Sequence, residues 1–220
     1  MTKPFCFIRA AVLAAAAALT SPLAWAQHWE VGGAAGASFS LDRTVRAATG
    51  ATGQVGFARG IAGSGWIAHN SAGRLGGEIR YLFARSDMRL TGNGVDYRFA
   101  ARSHLVHYDV LIHANSGEDR IRPFVAIGGG LKGYFGAGAE RAVQPLSNLA
   151  ILSRTSQWKP LLSVGGGVKW TIGQRWLLRA EVRDYITPIP REVILPAPGA
   201  TISGWIHDIV PMVGISYLFP

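Results

Sequence analysis

Cysteine is all but missing from this chain: Cys6 is the only one in 220 residues, and it lies in the first stretch, which is expected to be removed. A fold that must persist outside the reducing cytoplasm without disulfides has to be held by other means. A membrane-spanning helix is missing too, since it needs about 20 consecutive apolar residues and the one apolar run, Ala10 to Leu19, is much shorter. The rest of the chain has no helical periodicity. Although the formal net charge is +9, the bases are scattered and form no dense Lys/Arg tract, so the charge does not read as a nucleic-acid footprint. The histidines lack metal-ligand spacing on one face and have no cysteine partner, so neither metal nor cofactor is expected.

The N-terminus does carry an export signal. Lys3 and Arg9 flank the start of the apolar run, and Ala24-Trp25-Ala26 supplies small residues at the positions a signal peptidase reads. Residues 1–26 are expected to be cleaved before Gln27, which lowers the charge to +7, since Lys3 and Arg9 leave with them. Residues 27–220 then form a single domain.

The most informative stretch is the last, Gly204 to Phe219. Trp205, His207, Ile209, Pro211, Val213, Ile215, Tyr217 and Phe219 fall on one parity. Gly204, Ile206, Asp208, Val210, Met212, Gly214, Ser216 and Leu218 fall on the other. One face is bulky and mostly apolar, and the other is small, mixed and acidic. Period two with two unlike faces describes a β-strand between two solvents, apolar outside and polar inside. The ending with Gly214, Tyr217 and Phe219 resembles the C-terminal signal of bacterial outer-membrane β-barrels, although Pro220 follows the phenylalanine and Met212 stands where that family usually has a polar residue. The resemblance implies that the barrel-insertion machinery reads this strand.

Seven more strands precede it: about Trp29–Phe39, Gln54–Ala68, Arg74–Met88, Phe99–Ala114, Arg122–Lys132, Lys159–Lys169 and a run from Trp176 through Arg183. The fifth and sixth repeat one theme, a base, a proline, apolar residues, a glycine triplet and a lysine. Connections alternate short (69–73, 115–119, 172–174) and long (41–53, 89–98, 136–157, 187–203). Even strand number with short periplasmic turns and longer external loops predicts an all-β, eight-stranded antiparallel up-and-down transmembrane barrel with both termini periplasmic. Two aromatic girdles agree: Trp29, Trp170, Trp176, Tyr217 and Phe219 at one end, Phe83, Phe99, Phe135, Trp158 and Trp205 at the other. A lipocalin-like soluble barrel also has eight strands, and Gly63-Ser64-Gly65-Trp66 resembles its Gly-x-Trp signature. That motif belongs on a first strand, and a soluble barrel keeps its apolar face inside. The whole mature chain resembles the small outer-membrane barrels that include the OmpA transmembrane domain. Since no peptidoglycan-binding domain follows Phe219, wall anchoring is not carried over from the two-domain members.

The inward parity collects the acids Glu30, Glu78, Asp109, Glu181 and Asp208 and the bases Arg80, Arg122, Lys132, Lys159, Lys169, Arg179 and Arg183. In so narrow a tube they are expected to pair as a polar plug, with a small gated channel for ions as the alternative reading. Outward parity near the loop ends places Arg59, Arg85 and Arg102 where lipopolysaccharide phosphates would lie. An outer-leaflet lipid A-modifying enzyme is the third reading. It is disfavoured because His69 and Ser71 sit in a periplasmic turn and His107 with Asp109 has no adjacent nucleophile. The expected role is therefore non-enzymatic, a structural and surface-interacting outer-membrane protein. Its partners are lipid, lipopolysaccharide and an external protein or ligand met by the loops, with Leu146, Leu149, Ile151 and Leu152 as contact candidates.

Overall fold

The computed structural model describes residues 28–70, 73–115 and 119–219. The expected signal peptide, Ser71 and Pro220 lie outside the described residues. The barrel strands are β1 (His28–Ser40), β4 (Gly60–Asn70), β5 (Leu75–Arg85), β8 (Ala101–His113), β9 (Ile121–Gly136), β11 (Ser156–Thr171), β12 (Trp176–Pro188) and β15 (Trp205–Phe219). They close in the order β1-β15-β12-β11-β9-β8-β5-β4, every neighbour antiparallel. Closure leaves no unpaired edge, so the backbone can satisfy itself without water, the condition for spanning lipid with strands.

Side-chain direction decides the environment. Outward positions are apolar and uncovered, for instance Ile61 at 68% and Val213 at 66% exposure, with Ile79, Val125 and Leu131 alongside them. Inward positions hold most of the barrel strands' charge, and eleven of those acids, lysines and arginines are at most 8% exposed. An apolar exterior around a charged interior is the inside-out arrangement of a transmembrane barrel.

The glycine triplets make room for this interior. Gly128 and Gly130 of β9 lie opposite Asp109 and His107, and Gly165 and Gly167 of β11 lie opposite Arg183 and Glu181. A Cβ on Gly130 would come within 2.6 Å of the His107 Cα, and one on Gly167 within 2.7 Å of the Glu181 Cβ. One wall is thus stripped of side chains so that long ones from the facing and adjoining walls can fill the tube. The ladder between β1 and β15 has one interruption. Pairing runs through Gly36↔Met212 and resumes at Phe39↔Ile209, and the gap spans Pro211, which has no N–H to donate.

The long connections differ from the expected loops. They contain β2 (Arg43–Arg46), β3 (Thr52–Phe57), β6 (Met88–Gly92), β7 (Val95–Phe99), β10 (Ala150–Leu152), β13 (Ile194–Pro196) and β14 (Thr201–Ile202). These build a five-stranded sheet, β14-β2-β3-β6-β7, and a β10-β13 pair. Together they enclose a second apolar core with Val45, Val55, Met88, Leu90, Tyr97, Leu149, Leu152, Val193 and Ile202 at its centre, stacked over the barrel end opposite the termini.

The expected strand over Gln54–Ala68 is therefore two strands, broken at Ala58-Arg59, where the Ala58 N–H donates to the Asp87 carbonyl at 2.7 Å. Those over Arg74–Met88 and Phe99–Ala114 divide in the same way. Alternation hides the break because a residue facing lipid in the barrel and one facing the cap core are both apolar. Phe99 is corrected likewise: it is 3% exposed in the cap core, not in a girdle. Leu149 and Leu152 are also core residues, with Leu146 packed against them, so this segment folds inward and only Ile151 of the four contact candidates stays open.

Two substitutions check the packing. Gly130→Val should abolish the compact band that the unboiled protein gives on a detergent gel, because its side chain meets the β8 backbone. Gly63→Ala, whose added Cβ would have only the Ala34 carbonyl, at 4.0 Å, as a neighbour, should keep the heat-dependent shift.

Candidate functional site

The lumen is filled in layers. Nearest the termini, Glu30 of β1 accepts from Lys169 of β11 at 2.6 Å, from the Trp66 indole at 3.1 Å and from Asn70 at 3.0 Å. Lys169 also reaches the Asn70 side-chain carbonyl at 3.2 Å. Arg122 lies at this level and donates to the Gly73 carbonyl at 3.4 Å.

Above it is a knot of three arginines and three carboxylates. Glu78 meets Arg80 at 3.0 Å, Arg179 at 2.7 Å and Arg183 at 2.6 Å. Glu181 meets the same three at 2.6, 2.9 and 3.1 Å. Asp109 takes Arg183 at 2.6 Å and His107 at 2.9 Å. Strand register explains the convergence: Glu78/Arg80, Arg179/Glu181/Arg183 and His107/Asp109 are i, i+2 sets on three strands, so each set shares one face. Trp66, from the glycine-rich β4, lies between two guanidinium groups, with Arg80 4.6 Å and Arg179 4.8 Å from its ring centre. These are cation–π contacts in a water-poor setting, where they are strongest.

The third layer is apolar, made by Leu82, Leu105, Leu161, Tyr185, Val210 and Met212. Lys132 and Asp208 form an ion pair nearer the mouth. Tyr134 bonds Thr187 at 2.5 Å and stacks on Phe57 of the cap, with ring centres 5.3 Å apart. Lys159, directly across from Lys132 on the neighbouring strand, is half-buried and joins no ion pair among the described residues. Barrel and cap therefore meet in direct side-chain contact at Tyr134 and Phe57.

Burying so many ions is costly, and Coulomb attraction offsets the lost hydration only where every charge has close partners. Arg179 and Arg183 come close to that condition, since Arg179 bonds two carboxylates and Arg183 three, one through each of its nitrogens. Such a cluster can hold the walls at fixed spacing and block solutes. Among the described residues no histidine hydrogen-bonds a serine or threonine, and no group of acids, histidines or cysteines has metal-binding geometry.

Outside the barrel, Arg85 and Arg102 stand directly opposite each other on β5 and β8, both exposed. Arg59 turns the other way, over the Phe39 ring at 5.5 Å. Gly214, Tyr217 and Phe219 lie on the last strand. Tyr217 packs edge-on against both Trp176 and Phe219.

Sequence reasoning missed Trp66, Asn70 and Tyr134 as lumen residues, and the outward pair of His207 with Asp184, 2.7 Å apart. Parity alone would have found Trp66 and Asn70, which share the face of Ala62 and Ala68. Trp66 was weighed only as part of a Gly-x-Trp motif instead.

Compared with solved structures, the chain resembles the Pseudomonas aeruginosa outer membrane protein OprG with a TM-score of 0.56 at 12% identity, covering 88% of this chain and 96% of that one. It resembles Neisserial surface protein A with a TM-score of 0.54 at 11% identity, over 87% of this chain and 97% of that one. The fold is that of a small outer-membrane barrel. A major outer membrane protein from Thermus thermophilus aligns too, with a TM-score of 0.50 at 13% identity, over 88% of this chain and all of that one. No model of a protein family matches the sequence, and no curated protein matches it. What the chain has in common with these outer-membrane barrels is architecture, and function has to be argued from its own residues.

Removing one member of the central knot should strand buried charge. Arg183→Met is expected to cost roughly 3–5 kcal/mol, read as a lowered urea midpoint in detergent micelles. Lys159→Met, half-buried and unpaired, should stay within about 0.5 kcal/mol of the parent.

Proposed function

We propose that this chain is a non-enzymatic resident of the bacterial outer membrane, with both termini in the periplasm, that supports the envelope and presents its capped end to the exterior. The observation that carries the reading is the unbroken stack of closures in the lumen: an ionic layer, an apolar layer, and a cap with its own core seated on Tyr134. A tube sealed in this way is a scaffold rather than a conduit. A gated channel would require the knot, the leucine layer and the cap all to part, and no observation favours that.

The surface offered outward is then folded rather than loop-like. On the far face of the five-stranded sheet, Thr44, Gln54, Thr91 and Asp96 form a row across four strands. They line a shallow concavity of about 540 Å³ together with Thr52, Val95 and three glycines. The Asp96 carboxyl is held below its usual pKa, chiefly by the hydrogen bond from Arg89 at 3.2 Å. This row is the proposed contact surface for an external protein or ligand.

Arg85 and Arg102 sit opposite each other with no acid in ion-pair reach among the described residues, a repulsive arrangement that a bound anion relieves. Lipopolysaccharide phosphates supply that anion in this reading, with Arg59 nearby. Assembly uses the terminal Gly214, Tyr217 and Phe219 as the insertion signal.

Because the mature chain has no cysteine, single thiols report topology without background. Val143→Cys, at a side chain 81% exposed in the cap, should be labelled by a membrane-impermeant maleimide on intact cells. Gly173→Cys, in a short turn, should be labelled only after permeabilisation. The reverse pattern would overturn the orientation, and stable single-channel steps in planar bilayers would overturn the sealed lumen.

A further inference from the structure

The lipid-facing wall on the opposite side of the barrel from Arg85 and Arg102 carries ionisable groups that the plug does not use. Outward rows here are apolar: Leu162, Ile186 and His207 lie side by side across β11, β12 and β15, and Asp184 and Ile209 lie one row nearer the termini. In this row His207 takes the place of an aliphatic residue and pairs with Asp184 below it, Nδ1 to Oδ2 at 2.7 Å, the two side chains 31% and 32% exposed. The other carboxylate oxygen of Asp184 is buried without a hydrogen-bond partner. One row toward the cap, the Arg43 side chain from β2 donates its Nε–H to the Trp205 carbonyl, which leaves its two terminal amino groups free of any acid among the described residues.

Strand pairing is complete across this region, so the fold does not need these charges. Ionisable side chains on a lipid-facing wall are costly and mark a functional site by default. Arg43, Leu162, Ile186, Trp205 and His207 line one notch of about 550 Å³. Its floor is aliphatic and its upper edge is a tryptophan 53% exposed at the girdle. Arg43 brings a positive charge with two terminal amino groups to spare, and the His207 ring, engaged to Asp184 at Nδ1, presents its other nitrogen beside it.

We propose that this notch binds one membrane lipid with an anionic phosphate headgroup. The phosphate is held by Arg43 and His207, and an acyl chain lies along Leu162 and Ile186 under Trp205. Asp184 is the positioning residue: its contact with Nδ1 fixes the His207 ring so that Nε2 is directed outward. The charged groups facing His207 are Asp184 on β12 and Arg43 on β2, while β11 presents only Leu162 and Val164. The proposal rests on the membrane-spanning reading but not on which end faces the exterior.

The test is native mass spectrometry of the mature barrel in detergent micelles doped with phosphatidylglycerol. The parent should retain one lipid. Arg43→Gln and His207→Gln should each weaken retention about tenfold, the loss of a charge-assisted hydrogen bond. Asp184→Asn should weaken it, and Asp184→Glu, which keeps the carboxylate, should restore it. Leu162→Trp, which fills the notch and leaves every charge in place, should also expel the lipid. The unboiled gel band confirms that each variant is folded.

Unchanged retention in the folded Arg43 and His207 variants would overturn the proposal. So would equal retention of phosphatidylcholine, or complete displacement by millimolar inorganic phosphate, which would identify a free-anion site. Failure of the maleimide labelling pattern would overturn the orientation and leave this site standing.

Discussion

A tube of eight strands has a bore that its own side chains fill, and every charge placed inside it must find an opposite charge within reach. Much of this structure follows from that constraint. Glu78 and Glu181 each accept from the same three arginines. The bulk of those arginines is accommodated only because β9 and β11 present glycine where they pass. The triplets and the charges are thus one feature distributed over seven strands: long polar side chains enter from one part of the wall, and glycines elsewhere yield the volume.

The same constraint divides the molecule lengthwise. Ionic layers occupy the part of the bore nearer the termini, where they fix the spacing of the walls. Toward the other end the filling becomes apolar with Leu82, Leu105 and Met212, and then merges through Tyr134 and Phe57 into the core of the cap. The cap is not an appendage on flexible loops. Five barrel strands, β1, β4, β5, β8 and β15, join it through no more than two residues each, and its sheet encloses an apolar core.

Much of the barrel was legible because lipid and lumen impose opposite chemistries on alternate residues, and the register of β15 could be read from Trp205 to Phe219 on that basis alone. The cap was not legible, for a reason visible at Val55, Phe57 and Leu90. An apolar residue facing a protein core and one facing lipid look alike in sequence, so the bends near Ala58, Asp87 and Ala100 left no mark in the pattern. The lumen acids and bases could be assigned by parity. Which acid meets which base depends on strand stagger, and parity does not contain that. Trp66 was weighed only within its Gly-x-Trp motif and not by parity, and Asp184 was lost because the partner that explains it, His207, lies on another strand.

The chain's first and last strands are hydrogen-bonded to each other along nearly their whole length, and this has a consequence for how the molecule comes into being. Glu30, on the first strand, finds Lys169 only when the sheet has curled through a full circle, so this pair, unlike Glu78 with Arg80 on one strand, cannot form until the ends meet. Contacts of such sequence separation form slowly. The seam is therefore the kinetic bottleneck of biogenesis, and water leaves the bore in the same event that joins residue 29 to residue 219.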